Sequence, residues 1–215
     1  MMDYIAYVHT QDADALTVRN APLGDKIEFI SNGSKVKVQG KPVLKGKWNW
    51  VEISENRWVA SEFLKVVKGA KVVATRTNET VAGGLRVYKT ILVDRNGKTV
   101  NTVRLISGRI GKQTPSHVED SLTPPPFGIY TFDAPGWVYK GSDLKAQFGG
   151  VWSPITPTFN TNRSEIGIHY DPSVFSGNYN VGTVGCFATP TVKEKDIMTN
   201  FIQTQKPKHF IFNEG

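Results

Sequence analysis

The residues best suited to do chemistry lie between positions 166 and 190, in the stretch IGIHYDPSVFSGNYNVGTVGCFATP. It holds the only cysteine of the 215 residues, Cys186, and a histidine, His169, seventeen positions before it. A thiol attacks only as the thiolate, and a neighbouring imidazole can accept its proton and stabilise the anion. Ile166-Gly167-Ile168 runs into His169, the pattern of a strand that delivers a side chain to the end of a sheet. Pro172, Ser173, Ser176, Gly177, Asn178, Asn180 and Gly182 make the following segment a loop, which can fold back and bring Cys186 beside His169. Gly185 lets the backbone come close to a substrate, so the Cys186 amide could donate to an oxyanion. The competing reading is structural: a free cysteine is often a small buried hydrophobe, and one upstream histidine does not make it a nucleophile.

The elements that must position this pair read as strands. In residues 85–94 and 99–107, two alternating runs flank Arg95-Asn96-Gly97-Lys98, and Asn-Gly at such a place predicts a hairpin. Ser107-Gly108-Arg109 opens into an aperiodic polar stretch, residues 110–123, before Thr123-Pro124-Pro125-Pro126-Phe127-Gly128-Ile129-Tyr130-Thr131-Phe132. Gly149-Gly150-Val151-Trp152-Ser153-Pro154 predicts a further strand, whose Trp152 either stacks on a ligand or fills the core. Residues 71–76 predict the first strand of this unit, with a turn at Thr77-Asn78-Glu79-Thr80. After Cys186, residues 191–202 predict a helix. Thr191 is its N-cap, with Glu194 three residues on as a capping box, and Val192, Ile197, Phe201 and Ile202 form its inner face. Pro207 ends it, and His209-Phe210-Ile211-Phe212 reads as a last strand.

Earlier in the chain, residues 4–66 show short alternating runs at intervals of about ten residues, the pattern of a small β-barrel. They include Leu16-Thr17-Val18-Arg19, Lys35-Val36-Lys37-Val38 and a hairpin about Ser54-Glu55-Asn56. Trp50 and Trp58 suit the core of such a unit, and Trp48, after Lys45-Gly46-Lys47, suits either core or surface. The expected division is a first unit over residues 1–67 and a second over residues 70–215.

Composition narrows the classes of function. Apolar residues make up 39% and charged residues 21%, as in ordinary globular proteins, and no apolar run approaches a membrane span. The start, MMDYIAYVHT, has neither a basic segment nor an apolar core of the signal-peptide kind, so an exported protein would have had its leader removed. The net charge of +7 favours anionic partners. Lys35, Lys37, Lys41, Lys45, Lys47, Lys65, Lys68 and Lys71 are scattered rather than interleaved with aromatics on one element, which argues for solvation over nucleic-acid binding. His9, His117, His169 and His209 lack paired ligand spacing, so no metal site is expected, and no dinucleotide or phosphate motif points to a cofactor.

The order Ser107-Gly108, variable loop, Thr-Pro-rich segment with Gly128-Ile129-Tyr130-Thr131-Phe132, then Ile-Gly-Ile-His and Thr183-Val184-Gly185-Cys186-Phe187, resembles the L,D-transpeptidase (YkuD-type) catalytic domain. Two positions depart from that family's pattern: Ala188 stands where many members carry Arg, and Tyr170 where many carry Gly. The first unit resembles a bacterial SH3-like domain in Leu-Thr-Val-Arg-Asn-x-Pro, Gly-Ser-Lys-Val-Lys-Val, Trp-Val-Glu-Ile and Arg-Trp-Val-Ala-Ser-Glu-Phe-Leu. Together these resemblances imply a mainly β chain: an SH3-like barrel, then a β-rich catalytic domain with one short C-terminal helix.

The implied activity is acyl transfer on peptidoglycan stem peptides through a thioester. Cys186 is the nucleophile, His169 the base, and the amides of Gly185 and Cys186 the oxyanion donors. Thr183 supports them from behind. Asp171, a backbone carbonyl or a hydroxyl orients the imidazole. Tyr170, Trp152 and Arg109 are the expected substrate contacts. Arg109 and Arg163 are the candidate cations for a substrate carboxylate, with Arg109 at the cleft mouth preferred and a strand-capping role the alternative for Arg163. The SH3-like unit is expected to hold an anionic wall polymer, and the protein to work in the cell envelope or outside the cell, with a cytoplasmic location left open. Hydrolysis of the same peptides, or wall binding without catalysis, are the alternative functions.

Overall fold

The alternating runs become strands because one face of each can be buried while the other meets water. A computed structural model describes residues 3–144, 148–176 and 181–215. The chain is mainly β, with one α-helix among the described residues and a sheet closed into a barrel.

The first sheet has seven strands: β1 (Tyr4–Val8), β2 (Ala15–Arg19), β3 (Lys26–Ser31), β4 (Lys35–Lys45), β5 (Trp48–Ser54), β6 (Arg57–Ala60) and β7 (Leu64–Lys65). Their order is β3-β2-β6-β5-β4-β1-β7. Ala6, Val8, Val18, Val38, Val51 and Val59 form its core. Trp50 is buried and donates its indole N–H to the Lys45 carbonyl, 3.2 Å away. Trp48 is half-buried, leaning on Phe63 with the Lys47 ammonium over its ring.

The second sheet has nine strands: β8 (Lys71–Val81), β9 (Leu85–Val93), β10 (Thr99–Arg109), β11 (Gly128–Phe132), β12 (Tyr139–Lys140), β13 (Val151–Pro157), β14 (Gly167–Tyr170), β15 (Gly182–Thr189) and β16 (His209–Asn213). Their order is β11-β16-β8-β9-β10-β15-β14-β13-β12, and β13 also pairs with β11, so the sheet closes on itself. Tyr88, Tyr130, Phe187, Phe210 and Phe212 fill the inside with tilted and edge-to-face rings. A buried aromatic of this kind is worth about 3–5 kcal/mol against alanine, so this stack dominates the unit's stability.

Two sequence expectations need correction here. The turn expected at residues 77–80 is absent: β8 runs through it with a register shift between Arg76 and Thr80, because Thr77 Oγ1 bonds the Val87 carbonyl at 2.7 Å. The chain reverses instead at Ala82-Gly83-Gly84, all at positive φ. The helix, α1 (Val192–Gln205), is capped by Thr191 as expected: its hydroxyl accepts from the Glu194 amide at 3.2 Å. Of its expected inner face, Phe201 and Ile202 are buried and Ile197 packs against the core, whereas Val192, the first helical residue, is exposed and Met198 takes its place. Glu194 also takes Arg104 in a two-pronged grip at 2.8 and 3.2 Å, which fixes α1 to β10.

The two sheets meet through Tyr7, Val67, Val73, Ile129 and Ile211. Polar bonds border that patch: the Asn160 amide donates to the Gln11 carbonyl at 2.9 Å, and His117 Nε2 meets Asp14 at 2.6 Å. Residues 10–14 of the first unit therefore touch the two loops that wall the candidate site.

Candidate active site

Strands β14 and β15 lie parallel, with Ile168 opposite Phe187, His169 opposite Ala188 and Tyr170 opposite Thr189. Ile168 and Phe187 face the aromatic core. Alternation then turns His169 to the other face, together with Cys186 and Ala188. His169 and Cys186 open on one cavity of about 590 Å³, walled also by Arg109, Arg163, Glu165 and Asp171. The sequence-predicted pair is thus brought to one cleft, although residues 177–180 of the intervening loop lie outside the described residues.

The imidazole is buried, with Phe148 edge-on to it at 5.3 Å and Trp152 alongside at 6.2 Å between centroids. His169 Nδ1 lies 3.0 Å from the Tyr170 carbonyl oxygen. A carbonyl only accepts, so Nδ1 carries the proton and Nε2 is left as the basic nitrogen. Burial lowers the His169 pKa from its ordinary value; the Tyr170 carbonyl and the charge of Asp171 pull it partly back. The orienting group is therefore the backbone carbonyl. Asp171 instead braces the loop between the two strands. Its carboxylate accepts from the Ser173 amide and hydroxyl at 2.8 and 2.6 Å and from the Gly182 amide at 3.1 Å, clasping both ends of that loop.

Cys186 is half-buried, and its thiol donates to the Glu165 carbonyl at 3.7 Å. Among the described residues no hydrogen bond joins it to the imidazole. Burial pushes the thiol up to about 11, with the Gly167 backbone and the Arg163 guanidinium pulling it down and Glu165 pushing it up. The resting pair is a neutral thiol and a neutral imidazole, not an ion pair.

The backbone under the thiol is held by Thr183. Its hydroxyl donates to the Cys186 carbonyl at 2.6 Å and accepts from the amides of Gly108 at 3.0 Å and Gly185 at 3.2 Å. Ser107 Oγ donates to the same Cys186 carbonyl at 2.8 Å. The Gly185 amide, expected as an oxyanion donor, is therefore engaged with Thr183. Replacing Thr183 by valine keeps the shape and orphans two amides, so it should destabilise the fold by about 1–3 kcal/mol in chemical denaturation, with Thr183→Ser nearly neutral.

Of the expected substrate contacts, Arg109 lines the cleft and Tyr170 and Trp152 do not. Tyr170 packs on the aromatic core with Lys195 over its ring. Trp152 lies so close over Gly167 that a Cβ there would collide with the indole, so it backs the imidazole rather than the cavity. Ala188 is fully buried among Leu85, Ile106, Val174 and Val181.

Arg163 departs most from expectation. It is buried, donating to the Val118 carbonyl at 2.8 Å, Ser121 Oγ at 3.0 Å and the Thr123 carbonyl at 2.8 Å. Its Nη2 occupies the place a Gly185 side chain would take. Arg163, a candidate for a substrate carboxylate, is instead engaged by these neutral acceptors, and the bond from Ser107 on β10 to the Cys186 carbonyl is a contact that local pattern does not encode. Among the described residues, no group of three or more His, Cys, Asp or Glu side chains is arranged to hold a metal ion. Among the same residues, no helix is long and apolar enough to cross a membrane.

Compared with protein-family models, with curated proteins and with solved structures, the chain matches none.

Proposed function

We propose that this chain is a cysteine acyltransferase of the L,D-transpeptidase type, acting on peptidoglycan stem peptides, with an SH3-like module before its catalytic domain. The observation that carries the reading is the parallel pairing of β14 with β15, from which His169 and Cys186 open on one cleft. Thr183, Gly185 and Cys186, the residues of the sequence resemblance, are also the ones that shape the backbone there.

In the proposed reaction, His169 Nε2 takes the thiol proton as Sγ attacks the carbonyl before a terminal D-residue. The tetrahedral oxyanion is met by the Cys186 amide. It collapses to a thioester, and the imidazolium returns the proton to the departing amine of the D-amino acid. An amine from a second stem then restores the thiol and forms a cross-link; water in its place gives a free carboxylic acid. Holding of an anionic wall polymer by the first unit would rest on its exposed lysines rather than on its groove of about 530 Å³, where Asp12 offsets Arg19 beside Trp48, Trp50 and Phe63.

The test is incubation with purified muropeptides and mass spectrometry. Released D-amino acid with dimers marks transfer, and released D-amino acid alone marks hydrolysis. Cys186→Ala should give neither. The non-catalytic reading draws on the thiol's bond to the Glu165 carbonyl. Muropeptides left unchanged by the wild-type protein between pH 7 and 9 would select it.

A further inference from the structure

Arg163 is the one buried lysine or arginine among the described residues. Its hydrogen bonds go to two carbonyls and a hydroxyl, all neutral, and no carboxylate lies within ion-pair distance among the described residues. Taking a cation out of water without a counter-ion is expensive, and neutral acceptors offset only part of that cost. The fold nonetheless holds the guanidinium there by three bonds from residues 118–123 and by the absence of a side chain at Gly185. A charge kept without a partner at such expense points to an anion that arises during turnover. Cys186 follows Gly185 directly in the chain and opens on the same cleft as Arg163. The carboxylates of Glu119, Asp120 and Glu165 line that cleft too, outside bonding distance.

We infer that Arg163 is a positioning residue for the nucleophile, a fixed positive charge that stabilises the Cys186 thiolate as it forms, anchored by the 118–123 segment and fitted against Gly185. This rests on the reading of Cys186 as a nucleophile. When the thiol proton passes to His169 Nε2, the negative charge on Sγ faces the guanidinium. Arg163 keeps its own proton, and no bond to it forms or breaks. The direction of the Cys186 pKa agrees, since Arg163 pulls it down against burial.

Two small alkylating reagents test the charge without a substrate. Iodoacetate is anionic and iodoacetamide neutral, so the ratio of their rates with Cys186 reads the local charge and cancels both the thiolate fraction and the general access to the thiol. Arg163→Gln keeps hydrogen-bond donors and loses the charge; at low salt it should lower the ratio about three- to tenfold. Arg163→Lys keeps the charge and loses the fork, and should stay within about twofold of wild type. Circular dichroism checks that each variant is folded. An unchanged ratio in folded Arg163→Gln, or equal losses in the glutamine and lysine variants, overturns the inference. A changed ratio with muropeptides left intact would uphold the charge and sink the enzymatic reading, so the two failures are distinguishable.

Discussion

His169→Ala should lower the proposed acyl transfer by about a hundred- to ten-thousandfold, the usual range for removing a general base. The size follows from the thiol: with a pKa pushed up to about 11, roughly one thiol in ten thousand is ionised at pH 7 unless a base removes its proton during attack. Nδ1 is committed to the Tyr170 carbonyl, which leaves Nε2 as the base. Turnover of muropeptides at pH 7 measures the effect, and a variant as fast as wild type would remove the imidazole from the mechanism. The same substitution has a second, pH-dependent signature. Burial puts the folded-state pKa of His169 below its ordinary 6.5. The unfolded chain therefore takes up a proton first as the pH falls, stability declines between 6.5 and the lower folded value, and it levels off below that. Urea unfolding of His169→Ala between pH 7 and pH 5 should show a shallower decline. Some slope remains, because burial also lowers His9 and His209.

Gly185→Ala should destabilise the protein by about 2–4 kcal/mol and abolish most of the proposed activity. Gly185 has φ +121°, a conformation that L side chains rarely adopt, and the new methyl would fall on Arg163 Nη2. Either the guanidinium leaves its three acceptors or the strand beneath Cys186 shifts. Val184→Ala, one residue away at an exposed position, is the control and should stay within about 0.5 kcal/mol of wild type. Chemical denaturation of the pair decides the matter; equal stabilities would mean that the close approach at Gly185 relaxes at little cost.

How far the sequence can be read depends on the range of each interaction. The Asn96-Gly97 hairpin, the capping box at Thr191 and Glu194, and the strand ending in His169 are set by neighbours a few positions apart, and local pattern predicts them. The orienting carbonyl of Tyr170 is one of several options at that level, because a backbone group leaves no trace in residue types. Thr183 reads as a support behind the thiol, and its hydroxyl bonds the Cys186 carbonyl, but its engagement of the Gly185 amide depends on how the strand bends. Arg163 reads as a carboxylate-binding cation or a cap at a strand end, not as a buried group. Its burial comes from the way residues 118–123 wrap over it, and no periodicity encodes that contact. The strand through residues 77–80 escapes a local reading because Thr77 bonds across to Val87, a tertiary contact that overrides turn preference.

The position of β16 sets the order in which the molecule can be made. It lies between β11 and β8, with Lys71 opposite His209 and Gly128 opposite Phe212, yet it is the last strand in sequence. The first sheet closes with contacts among residues already translated by Lys65. The second must wait while the ribosome adds the residues from β8 onward, on the order of ten seconds. Throughout that interval β8 presents an unpaired edge and the aromatic stack lacks Phe210 and Phe212. Until β16 arrives, that edge and the half-built stack are the surfaces through which a nascent chain of this design is open to pairing with another chain.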